Sequence, residues 1–206
     1  RSRLPGPGIS GDKTLDMATV LGVLHAGRTT GPASLTDPAV HATLTRLEAH
    51  FASAYAINLA GPGAIAPAMG RYPGDVYVSG GAFYFSTFAA AEFHFRLAVA
   101  VAEGAAMEVT AANRRFLGAL AGPEIASRQG DGAYEGDTAA VAAACLRRGE
   151  AFLATARAFA PADGALAEQF DRTDGRPASA KDLAWSHAAC LTAVAWRSRA
   201  RSLSPD

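Results

Sequence analysis

Half of the 206 residues are hydrophobic (50%) and only 18% are charged, a composition that builds a packed core and excludes a disordered chain. Lysine plus arginine and aspartate plus glutamate balance at 19 each, so there is no basic excess for nucleic acid or an anionic membrane surface. The longest apolar run, 97–107, is broken by Glu103 and Gly104, which leaves nothing long enough to span a bilayer as a helix.

In chain order, the first residue is Arg1 and no secretory leader is read in front of it, so a piece of a longer chain is expected. "GPGISG" at 6–11 fits a dinucleotide-binding pattern, but only five residues precede it, too few for a strand to feed the turn. Asp12 breaks the phosphate-loop junction that follows, so a plain loop is expected. Residues 13–26 give a short helix. After Asp37-Pro38 a longer one begins, with Asp37 as cap, Pro38 in the first turn, and Val40, Leu44, Leu47, Phe51 and Tyr55 as its apolar stripe.

"FHFRLAVAVA", within 82–102, alternates with period two as a strand does. Its length, its alanines and the lack of turn signals favour a helix buried nearly all round. A short helix is expected at 108–120. Another spans 138–160, with Val141, Cys145, Phe152 and Phe159 inward. The last runs from 180 to 200, with Leu183, Cys190, Leu191 and Val194 inward and a capping-box start at Ser179 and Asp182. The sum is one all-α domain.

The two cysteines, Cys145 and Cys190, are too few for a disulfide framework or a zinc site and read as small buried hydrophobes. Five histidines lack ligand-like spacing with acids, so neither metal nor cofactor is expected.

Three irregular stretches, 59–81, 121–136 and 161–178, exceed the roughly 12–15 residues usual for connections in a compact domain, which points to function. "GRYPGDVY" at 70–77 sets Arg71, Tyr72, Asp75 and Tyr77 around a Pro-Gly turn, and "AEQFDRTDG" at 167–175 carries Glu168. An arginine fork steadied by aspartate suits sugar hydroxyls. Tyrosine rings offer apolar faces to a pyranose, and a carboxylate beside them suits activation of water. The same residues also fit a surface Arg–Asp pair with a core tyrosine.

Four longer strings add to this: "GDKTLDMATVLGVLHAG", "LEAHFASAYAIN", "GRYPGDVYVSGGAFYFSTFAAAE" and "LAEQFDRTDGRPASAKDLAWSHAACLTA". Together they resemble the C-terminal half of the catalytic domain of fungal-type glucoamylases, glycoside hydrolase family 15, over nearly the whole chain. The resemblance implies an (α/α)6 barrel, of which about six helices here would make half, with long loops building the site at one mouth.

It also implies roles. Glu168 matches the general base, Arg71 the arginine on the non-reducing-end glucose with Asp75 beside it, and Tyr72 and Tyr77 the pocket aromatics. Trp185 matches a tryptophan near the leaving-group sugar, and Ser179 a serine bonded to the base, although Ser179 reads equally well as a helix cap. Phe83 stands where the fungal enzymes carry tryptophan, which keeps stacking and loses an indole N–H. The family's general acid lies in its N-terminal half and has no counterpart here.

The implied activity is exo-acting, inverting release of glucose from α-1,4-glucan ends. The implied partners are an α-glucan substrate and the remaining half of the same barrel, and the implied location is secreted or periplasmic. α-1,6-Glucan or trehalose hydrolysis, or a non-catalytic glucan-sensing module, are the alternatives.

Overall fold

The computed structural model describes residues 14–122 and 130–203. "GPGISG" and part of the 121–136 stretch lie outside the described residues. Seven helices carry the described chain: α1 (Ala18–Ala26), α2 (Pro38–Ala54), α3 (Gly61–Ile65), α4 (Tyr84–Ala102), α5 (Arg114–Ala121), α6 (Thr138–Phe159) and α7 (Ala184–Ser202). Between them lie five two-residue strands: β1 (Ala82–Phe83), β2 (Glu108–Val109), β3 (Gly132–Ala133), β4 (Gln169–Phe170) and β5 (Pro177–Ala178).

The sequence rules act visibly in α2 and α6. Asp37 accepts from the Ala39 N–H at 2.8 Å, and Asp137 from the Ala140 N–H at 3.1 Å, each filling a donor that the first turn leaves open. The expected α2 stripe of Val40, Leu44, Leu47, Phe51 and Tyr55 is buried throughout. So are Val141, Cys145 and Phe152 of α6, whereas Phe159 is half-buried and stacks on Phe170.

Helix α4 is the axis of the molecule. All its residues except Arg96 and Ala102 are buried, and it packs mainly against α6 and α7. Its charged pair stays inside because both partners are used. Glu92 pairs with Arg96 and accepts from the Thr192 hydroxyl of α7 at 2.8 Å. Arg96 donates to the Leu24 carbonyl at the end of α1, also at 2.8 Å.

The last helix departs from expectation at its start and along one face. It begins at Ala184 behind Leu183, which supplies no side-chain cap. Asp182 faces His187 instead, at 2.9 Å, and Ser179 is occupied elsewhere. Leu191 is 70% exposed and Val194 41%, while Cys190 is only half-buried. The apolar spacing identified residues that favour cover: Cys190 packs against the core, but among the described residues Leu191 and Val194 stay largely open.

Candidate active site

Two loops meet above the N-terminal ends of α4 and α7. The first, 70–81, is tied down from three sides. The Met17 N–H donates to the Arg71 carbonyl at 2.8 Å and the Phe83 N–H to the Met69 carbonyl at 2.9 Å. The Tyr55 hydroxyl donates to the Gly81 carbonyl at 3.1 Å. Gly80 turns the chain with φ +64°, and a Cβ there would lie 2.1 Å from the Asp75 carbonyl oxygen, so only glycine closes this turn.

The second loop is a hairpin. Antiparallel β4 and β5 pair Gln169 with Ala178 and Phe170 with Pro177. Asp171 closes the turn between them by accepting from the Thr173 and Asp174 N–H groups at 2.7 and 3.3 Å, the local habit of aspartate in turns. Strand β4 also pairs with β1, Ala82 opposite Phe170 and Phe83 opposite Gln169. Phe170 is fully buried between Tyr84 and Phe159, and this anchor holds the hairpin against α4.

Arg71 and Asp75 form a two-pronged pair, Nε to Oδ2 at 2.7 Å and Nη2 to Oδ1 at 2.9 Å. Oδ1 also accepts from the Tyr77 N–H at 3.1 Å. The Asp75 side chain is 2% exposed and that of Arg71 31%. Asp75 is therefore consumed in holding the guanidinium, while Nη1 has no partner among the described residues. The hydrogen bonds that Arg71 donates to Asp75, opposed by partial burial and aided by the charges of Asp75 and Glu168, raise the Arg71 pKa further. Its charge is permanent. The guanidinium lies 5.5, 5.0 and 4.8 Å from the rings of Tyr72, Tyr77 and Phe83, within cation–π range.

Glu168 is half-buried. Its Oε2 accepts from the Tyr77 hydroxyl at 3.3 Å and, at shorter range, from the Ser179 hydroxyl, while Oε1 has no partner among the described residues. Ser179 reaches it from a left-handed backbone, φ +65°, a conformation that costs a non-glycine residue energy and often marks a functional position. Of the two readings open for Ser179, the hydroxyl bonded to the carboxylate holds and the helix cap does not. Behind Glu168, the Ser186 hydroxyl at the start of α7 donates to the Ala167 carbonyl at 2.7 Å. The Glu168 N–H donates to the Ala180 carbonyl, also at 2.7 Å.

Trp185 is 47% exposed. One face stacks on Phe85 at 3.9 Å and 4°, which leaves the other open. Phe83 needs correction: it is fully buried, so it cannot stack on a sugar and instead forms the floor beneath Arg71. Tyr72 is also mostly buried, at 7% exposure, whereas Tyr77 is 46% exposed. Sequence reasoning placed Tyr55 in the core stripe without its bond to the 70–81 loop, and missed Ser186 and Asn58. Asn58 is buried and bridges the Phe51 and Ala68 carbonyls, each at 3.0 Å, and accepts from the Ala68 N–H at 2.8 Å. Polar residues within apolar stretches were the available signal.

The profile of the family described as Glycosyl hydrolases family 15 matches residues 7–195. The chain belongs to that family. This family-15 chain is 33% identical over 203 residues to glucoamylase-1 of Arthroderma benhamiae, covering 93% of the chain and 32% of that protein. It is 37% identical over 145 residues to glucoamylase P of Amorphotheca resinae, covering 69% and 23%.

Among solved structures, the family 15 glucoamylase from Hypocrea jecorina superposes with a TM-score of 0.76 at 33% identity, covering 93% of this chain and 32% of that one. The glucoamylase of Hormoconis resinae superposes at 0.79 with 28% identity, covering 94% and 34%. The family-15 chain thus spans about a third or less of the length of these relatives. Its helices are the corresponding part of an (α/α)6 barrel.

Proposed function

We propose that this chain carries the base-bearing side of an exo-acting, inverting glucan hydrolase that releases glucose from α-1,4-linked chain ends. One observation carries the reading: Glu168 holds one carboxylate oxygen on two hydroxyls and leaves the other unpartnered among the described residues, beside a guanidinium fixed by Asp75. Hydroxyl donors favour the ionised carboxylate without neutralising it, as a general base requires.

In this reading Oε1 of Glu168 takes a proton from the water that attacks the anomeric carbon. Arg71 donates from Nη1 to a hydroxyl of the terminal sugar, Tyr77 borders the same space, and the open face of Trp185 receives the leaving-group sugar. An inverting site needs a second carboxyl, roughly 6.5–9.5 Å from the first, to protonate the leaving oxygen. That acid would come from the part of a family-15 barrel that these residues do not span. The outward apolar side chains of α7, Leu191 and Val194, are surface for the same part to cover.

The test joins this chain to the rest of a family-15 catalytic domain and follows maltooligosaccharide cleavage by proton NMR. First-formed β-glucose is expected, and α-glucose would overturn inversion. Residues 1–206 alone should release no glucose, and turnover by them alone would overturn this division of roles.

A further inference from the structure

A cavity of about 330 Å³ opens between α2, α3, α5 and α6 and shares no residue with the candidate active site. Its size is at the lower end of the roughly 300–1,000 Å³ typical of small-molecule sites. Glu48, Pro67, His94, Arg115, Phe116 and Arg148 contribute to the lining.

Their hydrogen bonding defines what the cavity offers. His94 is 1% exposed, and its Nδ1 lies 2.8 Å from the Ala90 carbonyl. A carbonyl only accepts, so Nδ1 carries the hydrogen and Nε2 of the neutral ring keeps its lone pair. Burial, with Arg148 and His41 adding to it against the bond to Ala90, lowers the His94 pKa to about 3, so the ring remains an acceptor at ordinary pH. Nε2 itself has no partner among the described residues.

Arg148 is consumed, donating to Glu48 Oε2 and to the Ile65 carbonyl. Glu48 keeps Oε1 unpartnered, and exposed Arg115 has no partner, both among the described residues. The cavity therefore presents two acceptors, one donor fork and the exposed apolar side chains of Ile65 and Ala119. A carboxylate in the wall disfavours anions, and two guanidinium groups disfavour cations. A ligand with hydroxyls on its edge and C–H faces satisfies every group.

We propose that this cavity is a second binding site, separate from the one around Glu168, for a neutral polyhydroxy compound of about one hexose unit. Either a free monosaccharide or the end of a glucan chain has this chemistry.

The test uses the full chain carrying Arg71→Ala, which disables sugar binding at the proposed catalytic site. Imidazole ¹⁵N NMR follows titration with glucose, with maltotriose and with inorganic phosphate. Glucose should move the His94 Nε2 resonance and leave Nδ1 in place. Binding of maltotriose as well would identify a chain end, and its absence a free monosaccharide.

His94→Phe keeps the stack on Phe116 and Phe152 and should weaken glucose about three- to tenfold, the worth of one hydrogen bond. Arg115→Ala, on an exposed side chain, should do the same without endangering the fold. Unchanged affinity in both variants, an unmoved Nε2, or phosphate binding in preference to glucose would overturn the proposal. Loss of all sugar binding on Arg71→Ala alone would overturn it while leaving the catalytic reading intact.

Discussion

Asp75 and Glu168 lie on the two loops of one corner, and the fold uses them in opposite ways. Asp75 is buried, and its oxygens are filled by two guanidinium bonds and a backbone N–H. Glu168 is half-buried, meets only neutral hydroxyls, and keeps one oxygen unpartnered among the described residues. A carboxylate paired with a cation has little capacity left to take a proton from water. One that meets only neutral hydroxyls and keeps an oxygen open still has a place to accept it. The proposed roles, Asp75 as anchor and Glu168 as base, rest on that difference more than on either residue's place in the sequence.

The largest test of that contrast is Glu168→Gln in an assembled catalytic domain. It should lower kcat by about a hundredfold or more, the range of general-base contributions, with little change in KM. A kcat within a few-fold of the parent would remove Glu168 as the base.

Next comes Arg71→Lys, which breaks the anchored side. An ammonium cannot reproduce the paired fork, and kcat/KM should fall by about 2–4 kcal/mol. Unchanged kinetics on maltose would show that Asp75 anchors a group the substrate never meets.

The smallest effect, and the most discriminating, is Ser179→Ala. It removes a donor to the ionised carboxylate, which favours the protonated form, so the acid limb of the pH–rate profile should move to higher pH. A profile that stays in place, whatever happens to Tm, would argue that the hydroxyl does not tune the base.

Much of this was readable in the sequence where the physics is local. Asp37-Pro38 set the start of α2, and the length of the 82–102 stretch separated a buried helix from a strand, with only Ala82 and Phe83 left extended. Arg71 and Asp75 are four apart across a Pro-Gly turn, so their pairing was legible too.

What failed depends on distant neighbours. Phe83 is buried because β4 and α4 close over it, and the hydroxyl of Ser179 is drawn to Glu168, eleven residues earlier, and away from the helix it precedes. Tyr55 donates to a carbonyl twenty-six residues away. Leu191 and Val194 show a limit of another kind: apolar periodicity marks a face that favours cover but does not say which chain covers it.

The three-stranded sheet of two-residue strands, β1-β4-β5, also limits how this protein can change in length. Side chains alternate along a strand, so a register slip of one residue exchanges the faces. An insertion between Met69 and Phe83 would strain the bond that joins them, and one between Glu168 and Ser179 would part the carboxylate from its hydroxyl. The Pro161–Gly164 turn, exposed at 162–164 and held only by local bonds of 3.0 and 3.1 Å, carries no such constraint. Insertions and deletions among family-15 relatives, and loops grafted by design, should therefore be tolerated at that turn and rejected within 69–83 and 168–179.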